Sequence, residues 1–176
     1  MPGEVVDTNV LVLASALEEG WSRPRVPTSD LRVFQRAFEW LSAFRADGER
    51  PLVMDLPQRT IWGEYARNVA PEHYGMRVVQ AKWDAGCLQI VQLQFDANGA
   101  ELVAVLPPEV AEGIHDLGDR KMVAAAFEAS APIVNAADSD WEHPKVSAAL
   151  ALLGVEVVQL LTREQREGCK PRTSES

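Results

Sequence analysis

The chain alternates short, wholly apolar runs with longer segments in which apolar positions recur every three or four residues. Val5-Val6, Leu52-Val53-Met54 and Ile133-Val134 are apolar runs of strand length, the last entered from Pro132 and ending at Asn135. Between them, Val10–Leu17 suits a helix ended by Gly20. Leu31, Phe34, Phe38 and Leu41 form the apolar face of a helix over about 31–44, capped by Thr28 or Ser29 and stopped by Asp47-Gly48. Pro57 is expected to open a helix through about Asn68, with Ile61, Tyr65 and Val69 on its buried side. Tyr74–Ala85 suits a further helix. Leu88–Phe95 and Glu101–Leu106 alternate around Asp96-Ala97-Asn98-Gly99, the pattern of a β-hairpin. Pro107-Pro108 starts a short helix to about Ile114, and an alanine-rich helix, Lys121–Ala129, begins near Asp119. Pro144–Leu153 suits a helix closed by Gly154, and Val155–Leu161 a last strand. Strands separated by helices predict an α/β fold. Without an internal repeat or a dividing linker, residues 1–162 are expected to form one domain, and the polar residues 163–176 a frayed tail.

Composition narrows the function classes. The length of 176 residues suffices for one domain with a sizeable core. A formal net charge of −9 argues against a protein that coats nucleic acid nonspecifically, since such proteins are usually basic. It leaves room for a nucleic-acid enzyme with local basic patches. The two cysteines, Cys87 and Cys169, have no metal-ligand spacing and suit reduced thiols in a cytoplasmic protein. Met1-Pro2-Gly3-Glu4 lacks a basic region before an apolar one, so no signal peptide is expected. The run Val10–Leu17 is too short to span a membrane.

The candidate chemistry lies in carboxylates at the ends of these elements. Asp7 ends the first strand, at the edge where open α/β sheets carry ligands. Glu64 lies on the helix after the second strand, Asp119 begins the alanine-rich helix, and Asp138 and Asp140 follow the strand that ends at Asn135. Gathered together, these acids would raise one another's pKa values unless cations neutralised them. Oxygen-only ligands favour Mg²⁺ or Mn²⁺. Each acid also has a plainer reading. Asp7 and Asp119 are possible helix caps, with Asp116 a rival for the second position. Glu64 suits a solvated helix face, and Asp138-Ser139-Asp140 suits a turn.

In order along the chain, Val5-Val6-Asp7-Thr8-Asn9, Glu64, Asp119-Arg120-Lys121-Met122-Val123-Ala124-Ala125-Ala126 and Ile133-Val134-Asn135-Ala136-Ala137-Asp138-Ser139-Asp140-Trp141 resemble the PIN-domain nucleases. The resemblance implies a Rossmann-like three-layer α/β/α sandwich around a mostly parallel sheet, here with a β-hairpin insertion within residues 70–115. It implies Mg²⁺- or Mn²⁺-dependent cleavage of RNA, leaving a 5′-phosphate and a 3′-hydroxyl. Asp7, Glu64, Asp119 and Asp138 match the family's four acidic positions, and Asp140 matches the second acid of the last motif. Asn9 matches the position that holds the acids by hydrogen bonds, and Thr8 the hydroxyl beside it. Many bacterial members are toxins that dimerise and bind an antitoxin protein, so both partners are expectations here. Ala136 stands where the family usually has Thr or Ser, and the loop Trp21–Ser29 and the hairpin make the chain longer than the compact toxins.

Arg23, Arg25, Arg120 and Lys121 are the candidate RNA contacts, with Arg32 and Arg36 extending a basic rim and Trp21 a candidate base-stacking residue. Trp62, Trp83 and Trp141 read as packing residues, and His73, His115 and His143 have no zinc spacing. The main alternative is the same fold acting as a binding module without nuclease activity, through a protein or RNA partner. A phospho-acceptor protein usually carries a second Asp two residues after the first, and Asn9 occupies that position.

Overall fold

In the computed structural model, residues 2–18, 28, 30–98 and 101–169 are described. They run through β1 (Val5–Val6), α1 (Thr8–Ser15), α2 (Leu31–Ala46), β2 (Leu52–Asp55), α3 (Thr60–Asn68), α4 (Tyr74–Asp84) and β3 (Leu88–Val91). Then come β4 (Phe95–Asn98), β5 (Glu101–Ala104), α5 (Pro108–Ala111), α6 (Asp119–Ala129) and β6 (Ile133–Asn135). A short 3₁₀ turn at Asp140–Glu142 leads to α7 (Pro144–Leu153), β7 (Val157–Gln159) and α8 (Arg163–Glu167). The α/β class expected from the alternation is what the chain adopts.

Among the described residues, the strands are parallel except in one hairpin. β1 pairs with β6 in the register Val5↔Ile133, and β6 pairs with β7 so that Asn135 faces Gln159. β2 pairs with β3 along Leu52↔Leu88 to Asp55↔Val91. A parallel bridge, Glu4↔Leu52, joins the two sheets, with the Val53 N–H donating to the Glu4 carbonyl at 3.0 Å. The strand sequence across the molecule is therefore β3-β2-β1-β6-β7. The chain leaves β1 toward one side and later returns to build the other, so the strand order reverses beside β1. In such sheets, the crevice beyond the carboxyl ends of the strands at this reversal is where ligands bind.

Burial explains the elements. Val5, Val6, Val53, Ile133 and Val134 are essentially inaccessible, as strands covered on both faces require. α1 is buried on nearly every side, through Thr8, Val10, Leu11, Leu13, Ala14 and Ser15, and packs against α2, α3 and α4. α2 buries Val33, Phe34, Ala37, Leu41 and Phe44, whereas Leu31 and Phe38 of the expected face lie toward solvent. Its cap is Asp30, whose carboxylate accepts the Arg32 N–H at 3.0 Å, in place of Thr28 or Ser29. Ser29, like Gly20, the loop residues Trp21, Arg23 and Arg25, and the turn residue Gly99, lies outside the described residues.

Three other expectations change. Helix α3 starts at Thr60 and not at Pro57, because the buried Asp55 carboxylate accepts the N–H groups of Thr60 at 2.8 Å and Ile61 at 2.9 Å. The expected hairpin strand Leu88–Phe95 divides: Leu88–Val91 joins β2 in parallel, and only Phe95–Asn98 pairs antiparallel with Glu101–Ala104. The polar segment after Leu161 begins as helix α8, capped by Thr162 and Gln165 in a reciprocal capping box. Arg166 and Cys169 are buried against the domain, and residues 170–176 lie outside the described part.

α1 and α4 touch at Gly75. Its N–H donates to the Ser15 hydroxyl at 2.9 Å, and a Cβ there would lie 2.7 Å from the Leu11 carbonyl oxygen. Gly75→Ala is therefore expected to force the helices apart and cost about 1–3 kcal/mol, read as a lower urea midpoint. An unchanged midpoint would contradict the close packing.

Candidate active site

The edge beyond β1 and β6 is built from buried polar side chains. Asp7 follows β1 directly and caps α1, its Oδ1 accepting the Asn9 N–H at 3.1 Å. Its other oxygen accepts the indole N–H of Trp141 at 2.7 Å. Asp7 is only 8% exposed, so it is both a cap and a buried carboxylate. The two readings of this residue, structural and functional, are compatible.

Asn9 ties this end of α1 to the loop after β6. Its Oδ1 accepts the N–H groups of Ala136 at 2.9 Å and Ala137 at 3.1 Å, and its Nδ2 donates to Asn135 Oδ1 at 2.9 Å. Asn135, fully buried, donates in turn to Gln159 Oε1 and to the Asp138 carbonyl, each at 2.6 Å. The β1 and β6 ends are thereby held in one frame, with Asp138 on its rim. Asp138 Oδ1 accepts the Asp140 N–H at 2.8 Å, while the Asp140 side chain is exposed. The turn reading of Asp138-Ser139-Asp140 is thus correct locally and leaves the Asp138 carboxylate at the edge.

α3 and α6 bring the remaining acids. The Tyr65 hydroxyl donates to the Val6 carbonyl at 2.5 Å, fixing α3 against the end of β1. Glu64, next to it, accepts the Thr8 hydroxyl at 2.5 Å and is ion-paired with Lys121. Glu64 is half-buried, so the solvated-face reading does not describe it. Asp119 is the first residue of α6, but the N-cap is Gly118 and the carboxylate makes no capping bond. The neighbouring Asp116 accepts the Gly118 N–H at 2.7 Å and is exposed.

The electrostatics show that these acids sense one another. Burial pushes Asp7 up to about 7, against the hydrogen bonds from Asn9 and Trp141, with the charges of Asp138 and Glu64 adding to the rise. Burial pushes Asp119 up to about 8, reinforced by Asp7, Asp116, Asp138 and Glu64. Asp138 is raised by burial and by Asp140 and Asp116. Among the described residues, no Lys, Arg or His forms an ion pair with Asp7, Asp119 or Asp138.

Carboxylate oxygens under mutual repulsion, without a cationic partner, suit a hard divalent ion in donor chemistry and charge. In the present arrangement, however, no three Asp, Glu, His or Cys side chains among the described residues are gathered closely enough to hold one. Binding an ion therefore requires these side chains to turn toward a common point.

The basic candidates are placed differently from the acids. Arg120 spends its guanidinium on the carbonyls of Ala111 at 2.8 Å and Ile114 at 3.2 Å. Lys121 is buried in its pair with Glu64, and Arg23 and Arg25 lie outside the described residues. The pattern of apolar positions left Asn135 as a mere strand end and Trp141 as a packing residue. A polar side chain closing a buried strand, and an aromatic donor beside Asp-x-Asp, were the available signals.

Trp141→Phe tests the indole bond. It is expected to destabilise the protein by about 1–3 kcal/mol more at pH 8, where Asp7 is ionised, than at pH 5, where it is protonated. The smaller ring costs packing at both pH values, so the difference between the two urea titrations isolates the hydrogen bond. Equal losses would mean that Trp141 serves packing alone.

An α/β chain with an acidic edge at its strand-order reversal is the class these observations define. Comparison with protein-family models, curated proteins and solved structures finds no match to it. No helix among the described residues is long and apolar enough to cross a membrane.

Proposed function

We propose that the chain is a metal-dependent endoribonuclease of the PIN type, acting in the cytoplasm. The observation that carries this reading is the buried Asp7 carboxylate at the carboxyl end of β1, held by Asn9 and Trp141 beside the Asn9–Asn135 frame that carries Asp138; burial raises Asp7 and Asp119, to about 7 and about 8, and the charge of Asp7 adds to the rise of Asp119. Asp7, Asp119 and Asp138 would hold Mg²⁺ or Mn²⁺, with Asp140 at the rim and Glu64 completing the acidic set. A divalent ion bound there supplies a Lewis acid for a phosphodiester and a water of lowered pKa. The chain's own contribution is preorganisation. Asn9 and Asn135 hold the two strand ends together, Trp141 orients Asp7, and Thr8 orients Glu64. The order of the parallel strands and the helices between them is consistent with the three-layer sandwich of that family. An antitoxin partner and a homodimer belong to the same proposal.

The test is incubation of a mixed structured RNA pool with Mn²⁺ or Mg²⁺, with EDTA as control. Cleavage that requires the ion and leaves 5′-phosphate ends is expected. The ungathered carboxylates favour a second reading, a binding module of the same fold without nuclease activity. Absence of both cleavage and Mn²⁺ binding in calorimetry would select it.

A further inference from the structure

We infer that Arg166, on the C-terminal helix α8, is a positioning residue of the acidic edge, acting through Glu142 on the turn from which Trp141 reaches Asp7. Its consequence for catalysis rests on the proposed function and concerns the same site. Trp141 and Glu142 are neighbours in the 3₁₀ turn Asp140–Glu142. The Trp141 indole donates to Asp7 Oδ2 at 2.7 Å, and the Glu142 carboxylate is ion-paired with Arg166. A second guanidinium nitrogen of Arg166 donates to the Leu161 carbonyl. Leu160, the residue before it, donates its N–H to the Asn135 carbonyl at 2.8 Å. Asn135 accepts from Asn9, whose own N–H donates to Asp7. These contacts close a ring that starts and ends at Asp7, and Arg166 joins the turn to the segment after β7.

Burial and packing show why this pair fixes a geometry. Arg166 is only 4% exposed, and its Nε has no hydrogen-bond partner. A buried guanidinium with one N–H unpaired is costly, and an apolar side chain of similar size would fill the space at lower cost. What an apolar side chain cannot do is hold Glu142 in one place. The turn needs such a hold. Between α7 and β7 it borders a cavity of about 430 Å³, lined by Trp141, Glu142, Ser147 and Leu150 among others, so packing does not fix it on that side. The Ser147 hydroxyl reaches the Trp141 carbonyl only at 3.4 Å, a long bond. The ion pair therefore anchors the turn from outside, and the indole bond passes that placement on to Asp7. By this route the polar segment after Leu161 reaches the site.

The experiment is NMR of the full chain with ¹⁵N-labelled tryptophan, the Trp141 indole signal being identified by its absence from Trp141→Phe. Its exchange with water is measured beside thermal melting and RNA cleavage. Glu142→Gln is expected to speed that exchange by about threefold or more, with little change in melting temperature, because the lost pair is partly exposed. Arg166→Lys, which keeps a cation, is expected to stay closer to wild type than Arg166→Met does. The double variant Arg166→Met/Glu142→Gln leaves no unpaired charge. It is expected to melt near wild type and yet exchange as fast as Glu142→Gln, with cleavage lowered in kcat more than in KM. An indole as protected in Glu142→Gln and the double variant as in wild type would overturn the inference. So would exchange that rises only as far as global stability falls. Should the Arg166 variants fail to fold, Glu142→Gln decides alone, since its side chain is 43% exposed. A wild type that cleaves no RNA would overturn the nuclease reading, while the indole signal would still decide whether Arg166 places Trp141.

Discussion

Asp7→Asn is expected to lower metal-dependent RNA cleavage by about a thousandfold or more while leaving the fold as stable as before, or more so, at pH 8. Both parts follow from the surroundings of one side chain. The substitution is nearly isosteric, so the packing of β1 and α1 is retained. What disappears is a charge that is buried, raised to about 7, and crowded by Asp138 and Glu64. Removing it at pH 8 relieves desolvation and repulsion together. Against this stands one hydrogen bond. Asp7 accepts from both Asn9 N–H and Trp141 Nε1, and an amide has only one oxygen for the two donors. That loss is about 1 kcal/mol, smaller than the charge term at pH 8. At pH 5 Asp7 is already neutral, so only the loss remains and the variant is expected to be slightly less stable than wild type. Cleavage assays beside melting curves at both pH values check the result. A variant that kept full cleavage would remove Asp7 from the site. One that lost cleavage only by unfolding would reduce it to a helix cap.

The positions of Asp7, Asp119 and Asp138 were legible because each is marked locally, by the end of an apolar run or the beginning of a helical one. Which residues answer them was not. Trp141 reaches Asp7 across 134 positions of sequence, and Lys121 reaches Glu64 between two helices that only the sheet brings together. Periodicity identifies the face of an element but not the partner opposite it. The same limit explains Leu88–Val91, where period-two alternation fits a hairpin strand as well as the edge of a parallel pair. Its neighbour proved to be β2, a long crossover away, because α4 carries the chain back alongside it. The start of α3 departs from the expected Pro57 for a different reason. Proline is a common first helical residue, but here a carboxylate five positions upstream of Thr60 accepts the first N–H groups and sets the start. The capping box at Thr162 and Gln165, by contrast, stood in the sequence as a readable signal beside a composition that suggested fraying.

The second large effect is the dependence of stability on pH, and its sign is opposite to that of an ordinary ion-paired carboxylate. An Asp in the unfolded chain titrates near 3.8, whereas in the fold Asp7 titrates at about 7 and Asp119 at about 8. Below the unfolded value both states are protonated and neither group affects folding. Between that value and the folded one, the native state retains protons that the unfolded state has released, so stability falls as pH rises. Above about 8 the penalty is complete and the profile levels. For Asp7 alone the penalty is about 4 kcal/mol at its full extent. In EDTA the melting temperature is therefore expected to drop between pH 5 and pH 8. With saturating Mn²⁺ the drop should shrink or vanish, because a cation favours the ionised carboxylates that burial and repulsion disfavour. Mn²⁺ binding near pH 6.5 should then release protons, and its affinity should rise toward pH 8. Melting curves across this range, with EDTA or Mn²⁺ and with Asp7→Asn alongside, separate the contributions. The Asp7→Asn profile in EDTA is expected to fall less steeply than wild type, since one of the two raised groups is gone. A flat wild-type profile, or one that Asp7→Asn leaves equally steep, would show that Asp7 does not carry the electrostatic strain assigned to it.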